Sequence, residues 1–262
     1  MKVKHRVSFT VRPPDREDLA ALGIHVGDGL VAFVIDDADT AWPAVSAWVA
    51  RRRAVHTVST EFSSDELSTA EWLELLPDWH HGYPQPADDF GYLALTYDLS
   101  HYCPSCGVGA IQKAPFRMRR EPAWGRRSIL QLNWVFDEFF VTPATWRSVF
   151  APLGVASQPV LHRSGRELAT VVQLVSGDDD VDVETEGLEA RTCPDCRRVK
   201  YASVVRGPFP RLHREPTTYL ARTRQYFGSG ASAYRAVLAS AQLVGALRTH
   251  EIRGVSFKPV DR

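Results

Sequence analysis

The stretch "HYCPSCGVGAIQKAPFRMRREPAWGRR", residues 101–127, contains the first two of four cysteines, and its reading decides the fold. Cys103 and Cys106 are spaced C-x-x-C and are followed by Gly107 and then by six basic residues. A second pair, Cys193 and Cys196, stands in "TCPDCRR", residues 192–198. No cysteine lies outside the pairs. In a reducing compartment, paired thiols hold metal more often than they form disulfides. Zinc takes four thiolates in a tetrahedron, and each C-x-x-C turn offers two sulfurs on one side of the ion. Pro104 and Pro194 stiffen each knuckle after its first ligand, and Gly107 is free to take a positive φ after the second. Cys103, Cys106, Cys193 and Cys196 are therefore read as ligands of one structural Zn2+. Residues 107–192 then form a subdomain inserted between the two halves of the site.

Four thiolates fill the shell, whereas a catalytic zinc keeps a position open for water or substrate. A redox dithiol calls for a single pair at a helix start, and both pairs here sit between strand-like segments. An iron–sulfur cluster uses the same four thiolates, and spacing alone does not separate it from zinc. His101 reads as a strand residue beside the knuckle and His80–His81 as loop. No H-E-x-x-H or H-x-E pattern occurs, and the glycine doublets make no phosphate loop. Asp137 and Glu138 would point to opposite faces of a strand and so would not act as a pair. Asp178–Asp180 has no calcium-loop pattern around it.

The chain has 262 residues, 31 basic and 31 acidic, for a net charge of zero. A dedicated nucleic-acid binder carries a basic surplus. No window approaches the apolar length of a membrane span, and the N-terminus lacks the apolar core of a secretory signal. A cytoplasmic protein is the expectation.

Residues 1–86 read as an α/β subdomain and 87–262 as a zinc-binding α+β domain, divided in the loop "HHGYPQPADDFG". Alternation in "KVKHRVSFTV" predicts a strand with Val3, Val7, Phe9 and Val11 on its faces. Helices are expected at "DREDLAALG", "DTAWPAVSAWVARRR" with Thr40 as cap, and "STAEWLELLPDW" with Ser68 and Glu71 as capping box. "GLVAFVID" reads as a buried strand and "AVHTVSTEF" as another. In the second domain, "YLALTYDLS" and "SILQLNWVFDEFFV" read as strands, the latter central. "TPATWRSVFAPLG" is a helix capped by Thr142 with Pro143 in its first turn and Gly154 as stop. "SQPVLHR", "ELATVVQLVS" and "VSFKPV" are strands, and "SAYRAVLASAQLVGALRTH" is an amphipathic helix. The sum is an α+β fold: mixed and antiparallel sheets, flanking helices and a zinc-ribbon-like four-cysteine module.

Basic residues cluster around both knuckles: Lys113, Arg117, Arg119, Arg120, Arg126 and Arg127 after the first, and Arg191, Arg197, Arg198, Lys200 and Arg206 around the second. A shared metal would gather them into one positive face suited to an acidic protein or to nucleic acid. The alternative is that they pair with the acidic stretch 178–189 and only solubilise the ribbon.

The strand leading into "CPSCG", the later C-x-x-C and the tail "VLASAQLVGALRTHEIRGVSFKPV" together resemble the bacterial double-CxxCG proteins, over residues 92–262. The second knuckle, "CPDCR", has arginine where that family has glycine. The resemblance implies an immunity protein of a polymorphic toxin system, with zinc as a structural part and a toxin as protein partner. It carries over the cysteines as ligands and no toxin-contact residue. The expected function is thus non-enzymatic binding, with a zinc-ribbon nucleic-acid or transcription adaptor as the alternative. A polar pocket lined by residues such as His162, Asp137 or Arg166 would instead favour an enzyme.

Overall fold

The computed structural model describes residues 1–177 and 180–262. The chain divides into two units: Met1–Glu66 with Val204–Pro208, and Leu67–Ser203 with Phe209–Arg262.

In the first unit, strands β1 (Lys2–Thr10), β2 (Leu30–Asp36) and β3 (Val55–Glu61) form an antiparallel sheet in the order β2-β1-β3. Helices α1 (Pro13–Ala20) and α2 (Trp42–Arg52) precede β2 and β3 respectively. The period of two along β1 turns Val7 and Phe9 into a core with Leu19, Ile35, Val45, Trp48 and Val49. Asp15 accepts the Arg12 N–H at 2.7 Å and so closes the start of α1. Ala41, not Thr40, occupies the N-cap of α2. Strand β2 is not buried as expected: it is an edge, and Leu30 and Val34 are exposed. The segment Val204–Pro208 joins this unit through Thr60, whose Oγ1 donates to the Val205 carbonyl and accepts the Gly207 N–H.

The second unit begins within a short helix, α3 (Ser64–Thr69), and continues with β4 (Trp72–Pro77). Helix α4 (Tyr92–Thr96) leads into β5 (Tyr97–Asp98). Short strands follow: β6 (Ile111–Gln112), β7 (Arg117–Met118), β8 (Ile129–Leu130) and β9 (Phe140–Val141). Helix α5 (Pro143–Thr145) runs on as one π turn and one 3-10 turn to Leu153. Strands β10 (Ala156–His162), β11 (Glu167–Val175), β12 (Asp180–Val181), β13 (Ala190–Thr192) and β14 (Val199–Tyr201) come next. The chain closes with β15 (Leu220–Thr223), β16 (Val237–Ser240), α6 (Ala241–Thr249) and β17 (Val255–Pro259).

Two five-stranded sheets carry this unit, in the orders β7-β10-β11-β9-β8 and β12-β15-β16-β4-β17. They share a core that includes Leu73, Leu75, Ile129, Phe150, Leu243 and Leu247. A second cluster holds Phe116, Met118, Leu130, Phe140 and Val171. The fold is α+β with mixed and antiparallel sheets.

Several elements differ from the sequence reading. The division falls after Glu66 rather than after residue 86, because β4 is paired on both edges, to β16 and β17, inside the second unit. The loop that looked like a linker is instead bonded to that unit: the His81 N–H donates to the Gln131 carbonyl and the Gln85 N–H to Arg117. The helix expected over 68–79 is therefore a strand. The capping pair is Ser63 and Glu66 at the start of α3, not Ser68 and Glu71. "YLALT" is helical, and residues 128–141 give two short strands rather than one long one. The tail splits into the fully buried strand β16 and helix α6, with the Ser240 hydroxyl accepting the Leu243 N–H at the junction.

Candidate metal centre

Each cysteine pair lies at the tip of a two-stranded hairpin, β5–β6 for Cys103 and Cys106 and β13–β14 for Cys193 and Cys196. Local backbone geometry is repeated 90 residues apart. The Cys103 N–H donates to the Val108 carbonyl at 2.9 Å, and the Cys193 N–H to that of Arg198 at 2.9 Å. The Cys103 carbonyl accepts the Gly107 N–H at 2.7 Å, and the Cys193 carbonyl that of Arg197 at 3.0 Å. Both knuckles turn with a left-handed residue after the second cysteine: Gly107 at φ 81° and Arg197 at φ 63°. Arginine therefore adopts the conformation that glycine takes for free, at a steric cost of about 1 kcal/mol.

The four Sγ atoms lie within 4.8 Å of one another. Cys103 and Cys193 are 3.8 Å apart and Cys106 and Cys196 3.6 Å. A tetrahedron with metal–sulfur bonds of ~2.3 Å has edges of about 3.8 Å. The thiols are too far apart for disulfides, which need about 2.05 Å. Clusters of two or four irons distribute their thiolates over several metal atoms, so this spacing favours a single ion. The sulfurs pack with Val108, Tyr226 and Ala233, and three of the four cysteines are buried. Burial raises the Cys103 thiol, but backbone donors from Cys106 and Ser105 and the Cys196 thiol outweigh it and bring it down to about 7. Burial drives the Cys106 thiol up to about 12. Four thiolates thus need a cation to offset their charge, and the set fits one tetrahedral metal ion.

Groups that sequence reading missed lock the two knuckles together. Lys200 is buried, and its Nζ donates to the carbonyls of Cys106, Gly230 and Ser232 at 2.7–2.8 Å. Arg198 donates to the Val108 carbonyl at 2.9 Å and to that of His101 at 2.5 Å. Ser105 donates to Asp195 across the centre. A Cβ at Gly107 would collide with the Ala231 carbonyl, and one at Gly109 with Arg198 and the His101 carbonyl. The signal was available in the alignment of "CPSCGV" on "CPDCRR", which sets Arg198 opposite Val108. His101 contributes its carbonyl to this lock and is not among the clustered ligands.

The basic residues do not gather as one face. Lys200 and Arg198 turn inward to the knuckles, and that is a correction for Lys200, which has no exposed ammonium to offer. Arg197 is exposed. The Arg127 guanidinium lies over the Trp79 ring at 5.3 Å from its centroid, and Arg126 is exposed. Arg119 and Arg120 line a cavity of about 640 Å³ with Arg163, and no cysteine is part of its lining. Arg117, on β7, is half-buried. Of the basic residues around the knuckles, Arg191 pairs with Glu189 of the acidic stretch, whereas the eight above do not pair with it among the described residues; its Asp180 and Asp182 bind Arg235 and Arg224. Asp178 and Asp179 lie outside the described residues.

Asp137 and Glu138 fall in the loop between β8 and β9, so strand alternation does not separate them, and both line one cavity with Arg222. Glu138 is buried; it accepts Arg222 at 2.7 Å and Gln173 at 2.7 Å. Gln173 is saturated in turn by Gln112 and Gln158. Burial pushes the Glu138 carboxyl up, opposed by Arg222. Protein groups satisfy the Glu138 and Gln173 side chains, while the buried Arg222 Nε is left without a hydrogen-bond partner among the described residues. His162 and Arg166 sit elsewhere, in the turn between β10 and β11, where the His162 N–H donates to the Arg166 carbonyl. Among the described residues, no helix is long and apolar enough to cross a membrane. Compared with known proteins, the chain matches no family model and no curated protein.

Proposed function

We propose that the chain is a zinc-stapled binding protein without catalytic chemistry at its metal, and that it neutralises a cognate bacterial toxin inside the producing cell. The observation that supports this reading is the filled four-thiolate set, whose sulfurs span one tetrahedron and leave no ligand position for water or substrate. Such a centre fixes a surface rather than a reaction. The lock built by Lys200 and Arg198 acts in the same sense, tying two hairpins remote in sequence into one rigid support. Immunity is the role implied by the double-CxxCG resemblance, and a cytoplasmic location goes with it.

Two measurements test the reading. Elemental analysis of the purified protein should give about one zinc per chain, and Cys193→Ser should lose the metal and lower the melting temperature. Unchanged zinc content and stability in that variant would refute the single-site model. A large toxin gene directly upstream would favour this role, and co-expression of this chain with such a toxin should restore growth. Continued killing by that toxin at full expression of this chain would reject the immunity role.

A further inference from the structure

Six non-glycine residues have left-handed backbone among the described residues, and three of them lie in one patch: Asp89 at φ 49°, Phe90 at φ 55° and Trp134 at φ 68°. Aspartate tolerates this region, but a bulky aromatic there is a steric outlier. Such strain persists only where the surroundings over-determine it, and it concentrates at functional positions. Burial of the rings does not account for it. Phe90 is 51% exposed, Trp134 37% and Tyr83 45%. The three rings form a continuous group, with Trp134 at 4.3 Å from Tyr83 and 4.5 Å from Phe90 between centroids. The backbone beneath is held by bonds from the Asn133 N–H to Gly82 and from the Phe90 N–H to Ala87.

Tyr83 also walls the cavity of about 640 Å³ that holds Arg119, Arg120 and Arg163. The reason these arginines meet is topological. Strands β7 and β10 are parallel, so the residues that follow them leave the sheet on the same side. The Arg163 N–H then donates to the Met118 carbonyl at 2.9 Å. None of the three guanidinium groups forms an ion pair among the described residues, and the one carboxylate in the wall, Asp88, is not bonded to them.

We propose that this patch is the docking face for the protein partner, and that the partner presents an aromatic or long apolar side chain beside a carboxylate. The ring would pack on Tyr83, Phe90 and Trp134, and the carboxylate would enter the arginine cleft. Trp, Tyr and Arg are the residue types in which interface energy concentrates. Charge complementarity fixes the acidic half of the partner, because three unpaired guanidinium groups line the cleft. Asp88 and Asp89 on the same rim, with the chain's net charge of zero, favour a protein carboxylate over a run of phosphates. The inference deepens the binding reading and rests on it.

The test is selection of a displayed random-peptide library on the full-length, zinc-loaded protein. Enriched peptides should place Asp or Glu next to an aromatic or long apolar residue. Their affinity should fall at least about tenfold with Trp134→Ala and with Arg163→Glu, a hot-spot effect, and stay unchanged with Arg191→Ala. Zinc content and melting temperature verify that each variant is folded. Should Trp134→Ala misfold, the exposed pair Arg120→Glu and Arg163→Glu carries the test. Peptides without acidic residues, or a selection that enriches nothing dependent on these side chains, would overturn the proposal. So would a single-stranded oligothymidylate that binds more tightly than the peptides and is lost with Arg163→Glu. A positive selection with failed growth protection rejects toxin neutralisation and keeps the face. The reverse pair of results discards the face and keeps the immunity role.

Discussion

Lys200 shows how much one side chain can change the meaning of a sequence motif. Read along the chain, it is one more cation in a basic trailer. Folded, it is the hub that holds the Cys106 carbonyl against those of Gly230 and Ser232. Burial lowers its ammonium, and the neighbouring Cys106 and Cys193 thiols oppose that shift. Lys200→Met keeps the aliphatic bulk but leaves three carbonyls without their donor. Each orphaned group costs about 1 kcal/mol or more, so the variant should lose about 3 kcal/mol and release its metal faster to a chromogenic chelator. A melting temperature and a release rate equal to the parent's would remove Lys200 from the lock. Arg197 makes a related point: its left-handed backbone is required by the turn, although the residue type does not announce it.

At the scale of elements, β4 decides the division of the chain. Its sequence "WLELLP" is apolar and short enough to read as the end of a helix, and Ser68 and Glu71 stand before it at capping-box spacing. Pairing overrode it, because β4 takes hydrogen bonds from β16 on one edge and β17 on the other. Leu73 and Leu75 then face the core, while Glu74 meets Lys258 at 3.2 Å. The same competition split the tail, since "VLAS" is worth more as a buried strand beside β4 than as a first turn of helix. Leu73→Ala should cost about 3 kcal/mol through lost burial and the cavity left behind. Chemical denaturation measures this, and a loss below about 1 kcal/mol would place Leu73 outside the core. By contrast, elements whose local signals agree formed as read. Thr142 caps α5, its hydroxyl accepting the Thr145 N–H, and Gly154 ends that stretch at φ 73°.

For the whole molecule, an ion held by the four cysteines would close a loop from residue 103 to residue 196 within the second unit. Ion binding should therefore stabilise this unit and not the separate core of the first, built on Val7, Phe9 and Trp48. Chelation followed by hydrogen exchange checks this. Amides of Cys103, Gly107, Cys193 and Arg197 should lose protection first, while those of β1 keep theirs. Equal loss in β1 would mean that the two units do not respond separately.

The sequence by itself determined the four-cysteine cluster, the α+β class, the three strands and two helices of the first unit, and the Thr142 cap of α5. These are local properties: spacing, alternation, and a donor or acceptor a few residues away. Only the tertiary structure decided that the arginines scatter, that Lys200 turns inward, that Asp137 and Glu138 share a cavity, and that β4 is a strand. Each of those outcomes depends on a partner remote along the chain, such as Gly230 for Lys200, Arg222 for Glu138 and β16 and β17 for β4. The exposed rings of Phe90 and Trp134 belong to the same class, because the strain that presents them is set by the chain packed around them and leaves no mark in composition or period.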